Sequence, residues 1–384
     1  MTREFDIIVY GATGFTGRLV AEYLVQAGVT GWAMAGRSAD KLAQVRDEIA
    51  APADTPLVVA NADDPASLRK MAERARVVLT TVGPYQLYGS DLVAACAAAG
   101  TDYLDLCGEP AWMRRMIDAH HAAAQASGSR IVFSCGFDSI PFDLGVLTLQ
   151  EHAQAAHGRP APRVKGRVRH MQGGFSGGTA ASLKATLAAA AREPGLVKLL
   201  ASPFALTPGF SGPRQPTGLI PEYDTTLKTW VAPFIMAPIN TKNVHRTNFL
   251  LGHPWGTDFS YDEMMVAPGI GDMAKAAADA MAKLNPLASD KDPKPGEGPS
   301  RAEREAGSYD ILFAGLMPDG TRIDCVVIGD RDPGYGSTSK MIAETARCLL
   351  DSDRAGGVWT PGALLGAHLR ERLEAKAGLS FRVG

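Results

Sequence analysis

The chain has 384 residues, a hydrophobic content of 46% and a formal net charge of −2. That length allows about two domains with ample material for a buried core, and the near-neutral balance offers no nucleic-acid surface, so the expected partner is a small molecule. Five cysteines, Cys96, Cys107, Cys135, Cys325 and Cys348, are widely spaced and lack a C-x-x-C pair, which suggests neither a disulfide framework nor a metal cluster and fits a reducing, cytoplasmic setting. The sequence enters a strand without a basic and apolar leader, and no apolar run reaches the roughly 18 residues of a spanning helix. It reads as soluble, with peripheral membrane contact left open.

Phe5 to Tyr10 is an apolar run expected to be a strand buried on both faces, and Gly11, Gly14 and Gly17 follow at once. An apolar helical pattern at Leu19, Val20, Tyr23 and Leu24 comes next, so the stretch reads as strand, glycine-rich turn and helix. Such a unit presents backbone N–H groups and the positive end of a helix dipole to a pyrophosphate. Gly11, Thr13, Gly14, Phe15, Thr16 and Gly17 are therefore the expected phosphate-binding residues.

Trp32 to Ala35 is a second strand, ending in Gly36, Arg37 and Ser38 with a helix from about Ala39. An acid at this tip hydrogen-bonds a ribose 2′-OH, whereas an arginine accommodates a 2′-phosphate. Arg37, helped by Ser38 and Lys41, thus places NADP(H) ahead of NAD(H). Leu57 to Ala60 is a third strand; Asp63 after it is expected either at the adenine or, with Asp64 and Pro65, as a helix start. Val77 to Val82 is a fourth, ending in Gly83, Pro84 and Tyr85; Thr101 to Leu104 and Arg130 to Ser134 are the fifth and sixth, with helices between. This alternation predicts an α/β fold with a doubly wound parallel sheet, whose ligands lie at the carboxyl ends of the strands.

After Pro141 the pattern changes. A helix over about Phe142 to His152 leads to longer strands expected at Val164 to Met171, Asn243 to Leu251, Thr257 to Met265, Tyr309 to Met317 and Arg322 to Gly329, the last two joined by Pro318-Asp319-Gly320. These predict a second, α+β domain on a mixed, largely antiparallel sheet, with an exposed face suited to a homodimer. Helices at Lys340 to Leu350 and Leu364 to Ala375 are expected to return to the first domain, giving residues 1–145 with 333–384 as one domain and 146–332 as the other. The long irregular stretches 194–238 and 285–304 are expected to be lids or binding loops.

Three polar loops then converge on one sheet edge. The first carries Gly83, Pro84, Tyr85 and Tyr88, the second Asp105, Cys107 and Glu109, the third Gly136, Phe137, Asp138 and Ser139. Tyr85 or Tyr88 is the expected proton donor, with Asp138 as a further catalytic candidate; Gly83, Pro84, Tyr85, Cys107, Gly136, Phe137 and Asp138 are expected along the cofactor, and N–H groups near Gly136 to hold a substrate oxygen. Glu109 before Pro110 reads as a helix N-terminal acid. A rival lies at Gly174-Phe175-Ser176-Gly177-Gly178, which satisfies G-x-S-x-G and would make Ser176 a hydrolase nucleophile. A non-catalytic nucleotide-binding scaffold is the other alternative. No tyrosine is followed by lysine four positions later, so the Tyr-x-x-x-Lys pair of short-chain dehydrogenases is absent.

The segments GATGFTGRLV, AGRS, TVGPYQLYGSDLVAACAAAGTDYLDLCGE, GFDSIPFDLG, GGT at Gly177 to Thr179 and DPGYGSTSKM resemble the saccharopine dehydrogenase-like oxidoreductases, in particular the actinobacterial branch with trans-acting enoyl reductases of complex lipid synthesis. The resemblance implies an N-terminal Rossmann domain, NADPH use, and a nicotinamide lying against Gly83 to Tyr85 and Gly136 to Asp138. The substrate it implies is hydrophobic or lipid-linked, an enoyl thioester reduced at its C=C; the apolar residues between Leu196 and Met236 agree with that. The alternative within the resemblance is C=N reduction on an amino-acid substrate, although no arginine cluster for a dicarboxylic amino acid is evident.

Overall fold

The structure, a computed structural model, describes residues 3–173, 192–284 and 297–384, with positions 182, 185, 186 and 188 between them. Apart from those positions and Arg192, the expected helix over 179–192 lies outside the described residues, as do Ser176 with its glycines and the 285–296 part of the second irregular stretch.

The first half alternates as expected: β1 (Phe5–Tyr10), α1 (Phe15–Gln26), β2 (Trp32–Gly36), α2 (Ala39–Glu48), β3 (Leu57–Val59), α3 (Pro65–Ala72), β4 (Ala75–Thr80), a short α4 (Tyr85–Tyr88), α5 (Ser90–Ala99), β5 (Asp102–Leu104), α6 (Pro110–Ser127) and β6 (Arg130–Val132). With β13 (Gly357–Trp359) they form a seven-stranded parallel sheet ordered β13-β6-β5-β4-β1-β2-β3. Both faces are buried, which is why the strands read as continuous apolar runs rather than alternating ones. Ile7 and Val9 of β1 join one core cluster while Ile8 and Tyr10 join the other.

α7 (Ile140–His157) leads into the second sheet: β7 (Arg163–Gln172), β8 (Glu222–Asp224), β9 (Thr229–Pro233), β10 (Ser260–Val266), β11 (Ser308–Leu316), β12 (Arg322–Gly329) and β14 (Leu379–Val383). Its order is β14-β12-β11-β7-β10-β9-β8, with β7 and β10 parallel and the other pairs antiparallel. The helices of this half are α8 (Pro194–Ala201), α9 (Ala237–Leu250), α10 (Asp272–Lys283), α11 (Arg301–Ala306), α12 (Thr338–Leu350) and α13 (Pro361–Lys376). α7 packs so closely on β11 that a Cβ at Gly145 would come 2.3 Å from the Phe313 ring.

Four expectations need correction. The segment from Asn243 to Leu251 lies in helix α9 and its C-terminal end, not in a strand. Its polar residues are buried against tertiary partners, which neither β-propensity nor a helical apolar stripe can anticipate. The C-terminus does not return wholly to the first sheet: β13 joins it, but β14 forms an edge of the second. A division at 145 would also cut α7, which runs unbroken from 140 to 157. The 194–238 stretch is not uniformly irregular, since it contains α8 and the β8–β9 hairpin.

Asp143 ties three helices together. Its fully buried carboxyl accepts from the Thr247 hydroxyl of α9 and from Gly362 N–H at the start of α13. Burial raises it from an ordinary 3.8 to about 7. Between those two values the folded chain holds a proton that the unfolded chain has lost, so this contribution to stability falls as pH rises from about 4 through 7. In Asp143→Asn that dependence disappears. The urea midpoint of the variant should gain on wild type between about pH 4.5 and pH 8, and a gap that stays constant or widens would refute the assignment.

Candidate active site

β1 ends at Gly11, whose φ of +90° turns the chain beneath the sheet edge. A Cβ there would lie 2.8 Å from Thr81 Oγ1 and Val82 Cγ2, and one at Gly17 would lie 2.1 Å from Gly11 O, so both positions demand glycine. Gly14 caps α1 without any side-chain hydrogen bond. The first-turn N–H groups of α1 are left for a ligand, as in a pyrophosphate cradle. Thr13, Phe15 and Thr16 are half-buried around it, and a cavity of about 210 Å³ lined by Thr13, Gly14, Phe15, Arg18, Lys41 and Gln44 among others opens beside it. The residues present fit a dinucleotide.

Arg37 stands exposed just past β2, with no ion pair recorded among the described residues, while Ser38 spends its hydroxyl capping α2 by accepting from Lys41 N–H at 3.4 Å. Arg37 and Asp63 both bear on the Tyr10 hydroxyl, which burial, then Asp63, push up to about 12 against the opposing pull of Arg37. The guanidinium and the Asp63 carboxylate thus flank one corner of the sheet edge. Of the two roles expected for Asp63, the helix cap falls to its neighbour: Asp64 caps α3 by accepting from Ala66 and Ser67 N–H. Asp63 remains exposed at the sheet's carboxyl edge.

The next three loops are braced by buried acids. Glu109, 2% exposed, accepts from Tyr85 N–H at 2.9 Å and Gln86 N–H at 2.8 Å, so it serves the start of α4 rather than that of its own helix. Asp105 accepts from Cys107 N–H, Ser134 N–H and the Tyr103 hydroxyl, and burial raises it to about 7. Gly83 is exposed and Pro84, joined to it by a cis peptide, is half-buried. Ser182 and Thr186 lie over this loop: Gln86 Nε2 donates to Thr186 Oγ1 at 3.4 Å.

The structure moves several expected residues out of direct reach. Tyr85 is 5% exposed; its hydroxyl accepts from Leu106 N–H and donates to Thr80 O, and its ring packs on Trp112. Such a hydroxyl, pushed well above 10 by burial, shapes the loop and offers no proton to a ligand. Tyr88 is 42% exposed at the end of α4. Cys107 has no exposed surface, and its Sγ accepts from Glu109 N–H, so it lies under the loop instead of lining it. The Phe137 N–H, expected to face a substrate oxygen, is taken by Thr338 Oγ1 at 2.9 Å. Asp138 is half-buried with its Oδ1 shielded and without a hydrogen-bond partner among the described residues.

Sequence reasoning missed the groups that meet these loops from the second half. Within Asp332-Pro333-Gly334-Tyr335-Gly336-Ser337-Thr338, Asp332 accepts from Tyr335 and Gly336 N–H, Thr338 docks on Gly136 and Phe137, and the buried Tyr335 ring stands edge-on to Phe15 of the glycine loop at 4.8 Å. The motif was visible, but nothing in its residues said which loop it would touch. From α9, Asn243 Nδ2 donates to Ser139 Oγ at 2.8 Å.

A dinucleotide cradle at the carboxyl edge of a doubly wound sheet, met by hydrogen-bonding groups from the second half of the chain, defines an NAD(P)-dependent oxidoreductase. Residues 7–132 match the saccharopine dehydrogenase NADP binding domain. A Mycobacterium tuberculosis protein provisionally named a trans-acting enoyl reductase is 43% identical over 99% of this chain and 97% of its own, and a trans-acting enoyl reductase of Mycobacterium ulcerans is 39% identical over 97% and 96%. The chain belongs to this saccharopine dehydrogenase-like family of trans-acting enoyl reductases. In fold it is similar to apo saccharopine dehydrogenase (L-Glu forming) from Saccharomyces cerevisiae, with a TM-score of 0.56 at 8% identity over 99% of this chain and 100% of that one. The amine dehydrogenase of Mycobacterium smegmatis gives 0.51 at 14% over 94% and 96%. Among the described residues no helix is long and apolar enough to cross a membrane.

Replacing Glu109 by alanine strips the buried Tyr85 N–H and the half-buried Gln86 N–H at the start of α4 of their acceptor, at a cost on the order of 1–3 kcal/mol for the buried one and less for the other. Glu109→Ala should lower the melting temperature and weaken dinucleotide affinity together, because Gly83 to Gln86 lose their anchor. Thermal melts and nucleotide titration check it; a stable variant with unchanged affinity would remove Glu109 from this role.

Proposed function

We propose that the protein reduces the C=C of an enoyl thioester or lipid-linked substrate, with hydride supplied by NADPH in the cleft between the two sheets. The observation that carries this reading is the match over nearly the whole chain to trans-acting enoyl reductases, combined with an open phosphate cradle on α1. When bound, the nicotinamide supplies the hydride; the chain's residues hold the phosphates on the Gly11 to Gly17 loop, and Asp138 stands on a loop that Asn243 holds through the buried Ser139.

NADP(H) over NAD(H) is supported by Arg37, an exposed guanidinium with no carboxylate partner recorded among the described residues, at the tip of β2. A 2′-phosphate lies at that tip in such folds. A hydrophobic substrate is supported by exposed Leu87 and Tyr88 on α4 and by exposed Val197, Leu219 and Ile220 in the 194–238 stretch. The outer face of the second sheet, with half-exposed Val326 and Ile328 on β12, is where a second copy would pair. Five buried free cysteines suit a cytoplasmic protein.

Two measurements test the reading. Arg37→Asp should weaken NADPH by about tenfold or more, the order of a lost charge-assisted contact, and leave NADH affinity nearly unchanged; an unaltered NADPH to NADH ratio would contradict the assignment. Stereospecific loss of label from NADPH, followed with a panel of trans-2-enoyl thioesters and imines, should occur with the thioesters. Turnover confined to imines would replace C=C by C=N reduction, and tight NADPH binding with no turnover of any member would favour the scaffold.

A further inference from the structure

Behind Asp138 the two sheets enclose a second carboxyl in a polar nest that the dinucleotide does not need. Glu263, on β10, is 1% exposed. Its Oε1 accepts from the Tyr261 hydroxyl at 2.8 Å and its Oε2 from Asn240 Nδ2 at 2.9 Å. Asn240, on α9, has no exposed surface, and its own Oδ1 has no partner among the described residues, the same condition as Asp138 Oδ1. Two shielded acceptors therefore stand unsatisfied beside a buried carboxyl. Buried acceptors of this kind are costly unless a ligand or a proton completes them.

The charges around Glu263 are arranged to keep it neutral. Tyr261 and Asp262 come from its own strand, Asp138 from the β6–α7 loop and Asn240 from α9. The neighbouring cations of β7 are committed elsewhere, Lys165 and Arg167 to Asp224 and Arg167 also to Asp262. On β10, Asp262 and Glu263 point to opposite faces, as successive strand residues must. Lys242 of α9 donates to Pro238 O. Burial, followed by the charges of Asp262 and Asp138, raises Glu263 well above 4.5 against the pull of Asn240 and Tyr261, and burial raises Asp138 to about 7.

We infer that Asp138 is the group that protonates the substrate carbon, and that Glu263, held by Tyr261 and by Asn240 one helical turn from the Asn243 that holds Ser139, is a positioning acid that sets no second charge beside Asp138. This rests on the enoyl reading. With a dinucleotide held on the Gly11 to Gly17 loop, its nicotinamide would supply a hydride to the substrate β-carbon, forming a C–H bond there as the π pair shifts toward the thioester oxygen. As that pair returns to the α-carbon it forms a bond to the Asp138 proton, leaving Asp138 as a carboxylate. One hydride and one proton are added; the C=C is reduced and NADPH is oxidised. Asp138, which is only half-buried, recovers its proton from water once the product has left, while Glu263 keeps its own.

The test has two arms, so that failure of the enoyl reading and failure of this inference are distinguishable. In the first, infrared difference spectra of the full chain at about pH 7, without substrate, compare wild type with Glu263→Gln. Asp105, Asp138 and Asp143, also raised to about 7, contribute to both proteins; a protonated-carboxyl band left in the wild-type minus Glu263→Gln difference is expected, and a difference without one overturns the inference. The glutamine introduced by Glu263→Gln can still accept from Tyr261, and Asn240 can turn its amide to suit. Should Glu263→Gln not fold, Tyr261→Phe takes its place and is expected to move the band; an unmoved band overturns the inference.

In the second arm, a trans-2-enoyl thioester turned over by wild type is used. Asp138→Asn is expected to lower kcat by about 10²-fold or more, the usual scale for general acid catalysis, with NADPH affinity little changed. Glu263→Gln is expected to shift the alkaline limb of the kcat profile. An Asp138→Asn variant with near wild-type kcat, or superimposable pH profiles, overturns the inference. If wild type reduces no thioester, the enoyl reading fails, and the first arm alone then decides whether Glu263 holds the proton.

Discussion

Asp105 and Glu109 take donors from the ends of three neighbouring strands, and the shape of the cleft depends on them. Glu109 holds the loop after β4, and Asp105, one residue past the end of β5, holds the loop after β6. Neither is recorded in an ion pair with a cation among the described residues. A carboxyl surrounded only by backbone N–H and hydroxyl donors keeps its geometry without a mobile counter-charge, at the cost of desolvation that lifts Asp105 toward neutrality. Gly83, Pro84, Gly136 and Asp138 are thereby placed with respect to one another before any ligand arrives. Preorganisation of this kind is what lets a polar site act on a bound substrate without first reorganising.

The second half of the chain completes that edge through hydroxyls rather than charges. Thr338 donates to Pro333 O and accepts from Phe137 N–H, linking the start of α12 to the loop after β6. Asn243 fixes Ser139, and Asp143 draws α7, α9 and α13 together one turn further on. The loop bearing Asp138 is therefore gripped from both sides. One core cluster runs from Val9 of the first sheet through Phe137 and Phe142 to Phe313 of the second, so hydrophobic packing joins the halves where the polar contacts orient them.

The first sheet is legible in the sequence because its strands, the edge strand β3 apart, are buried almost throughout, and because Gly11 and Gly17 of the opening turn have a steric reason to be glycine. The acids are only half legible. Glu109 can be read as a helix-start acid, but the helix it serves begins 24 residues earlier, and no local pattern reveals that. Tyr85 has the look of a proton donor because it follows a strand end. What that position cannot show is that Leu106 N–H and Thr80 O occupy its hydroxyl. The segment from Asn243 to Leu251 misleads for a related reason. Asn243, Arg246 and Thr247 are buried in α9 because Ser139, Leu206 O, Val358 O and Asp143 are there to receive them, and those partners are up to 112 residues away in the chain.

Helix α9 also bears on why the second half differs in kind from the first. A helix that buries Asn240, Lys242, Asn243, His245, Arg246 and Thr247 has no apolar stripe to drive its packing. Its place is fixed by hydrogen bonds, and these are worth little net stability unless every group is satisfied. Several are not: Asn240 Oδ1, His245 Nε2 and Arg246 Nε are shielded without partners among the described residues. A core built only for stability would replace such groups by leucine or valine at a gain. Keeping them beside Asp138 and Glu263 gives the cleft directional acceptors and a neutral acid that an apolar wall could not provide. The polar groups that reach the Asp138 loop and Glu263 from the second half are thus carried by α9, where the sequence looks least like a motif.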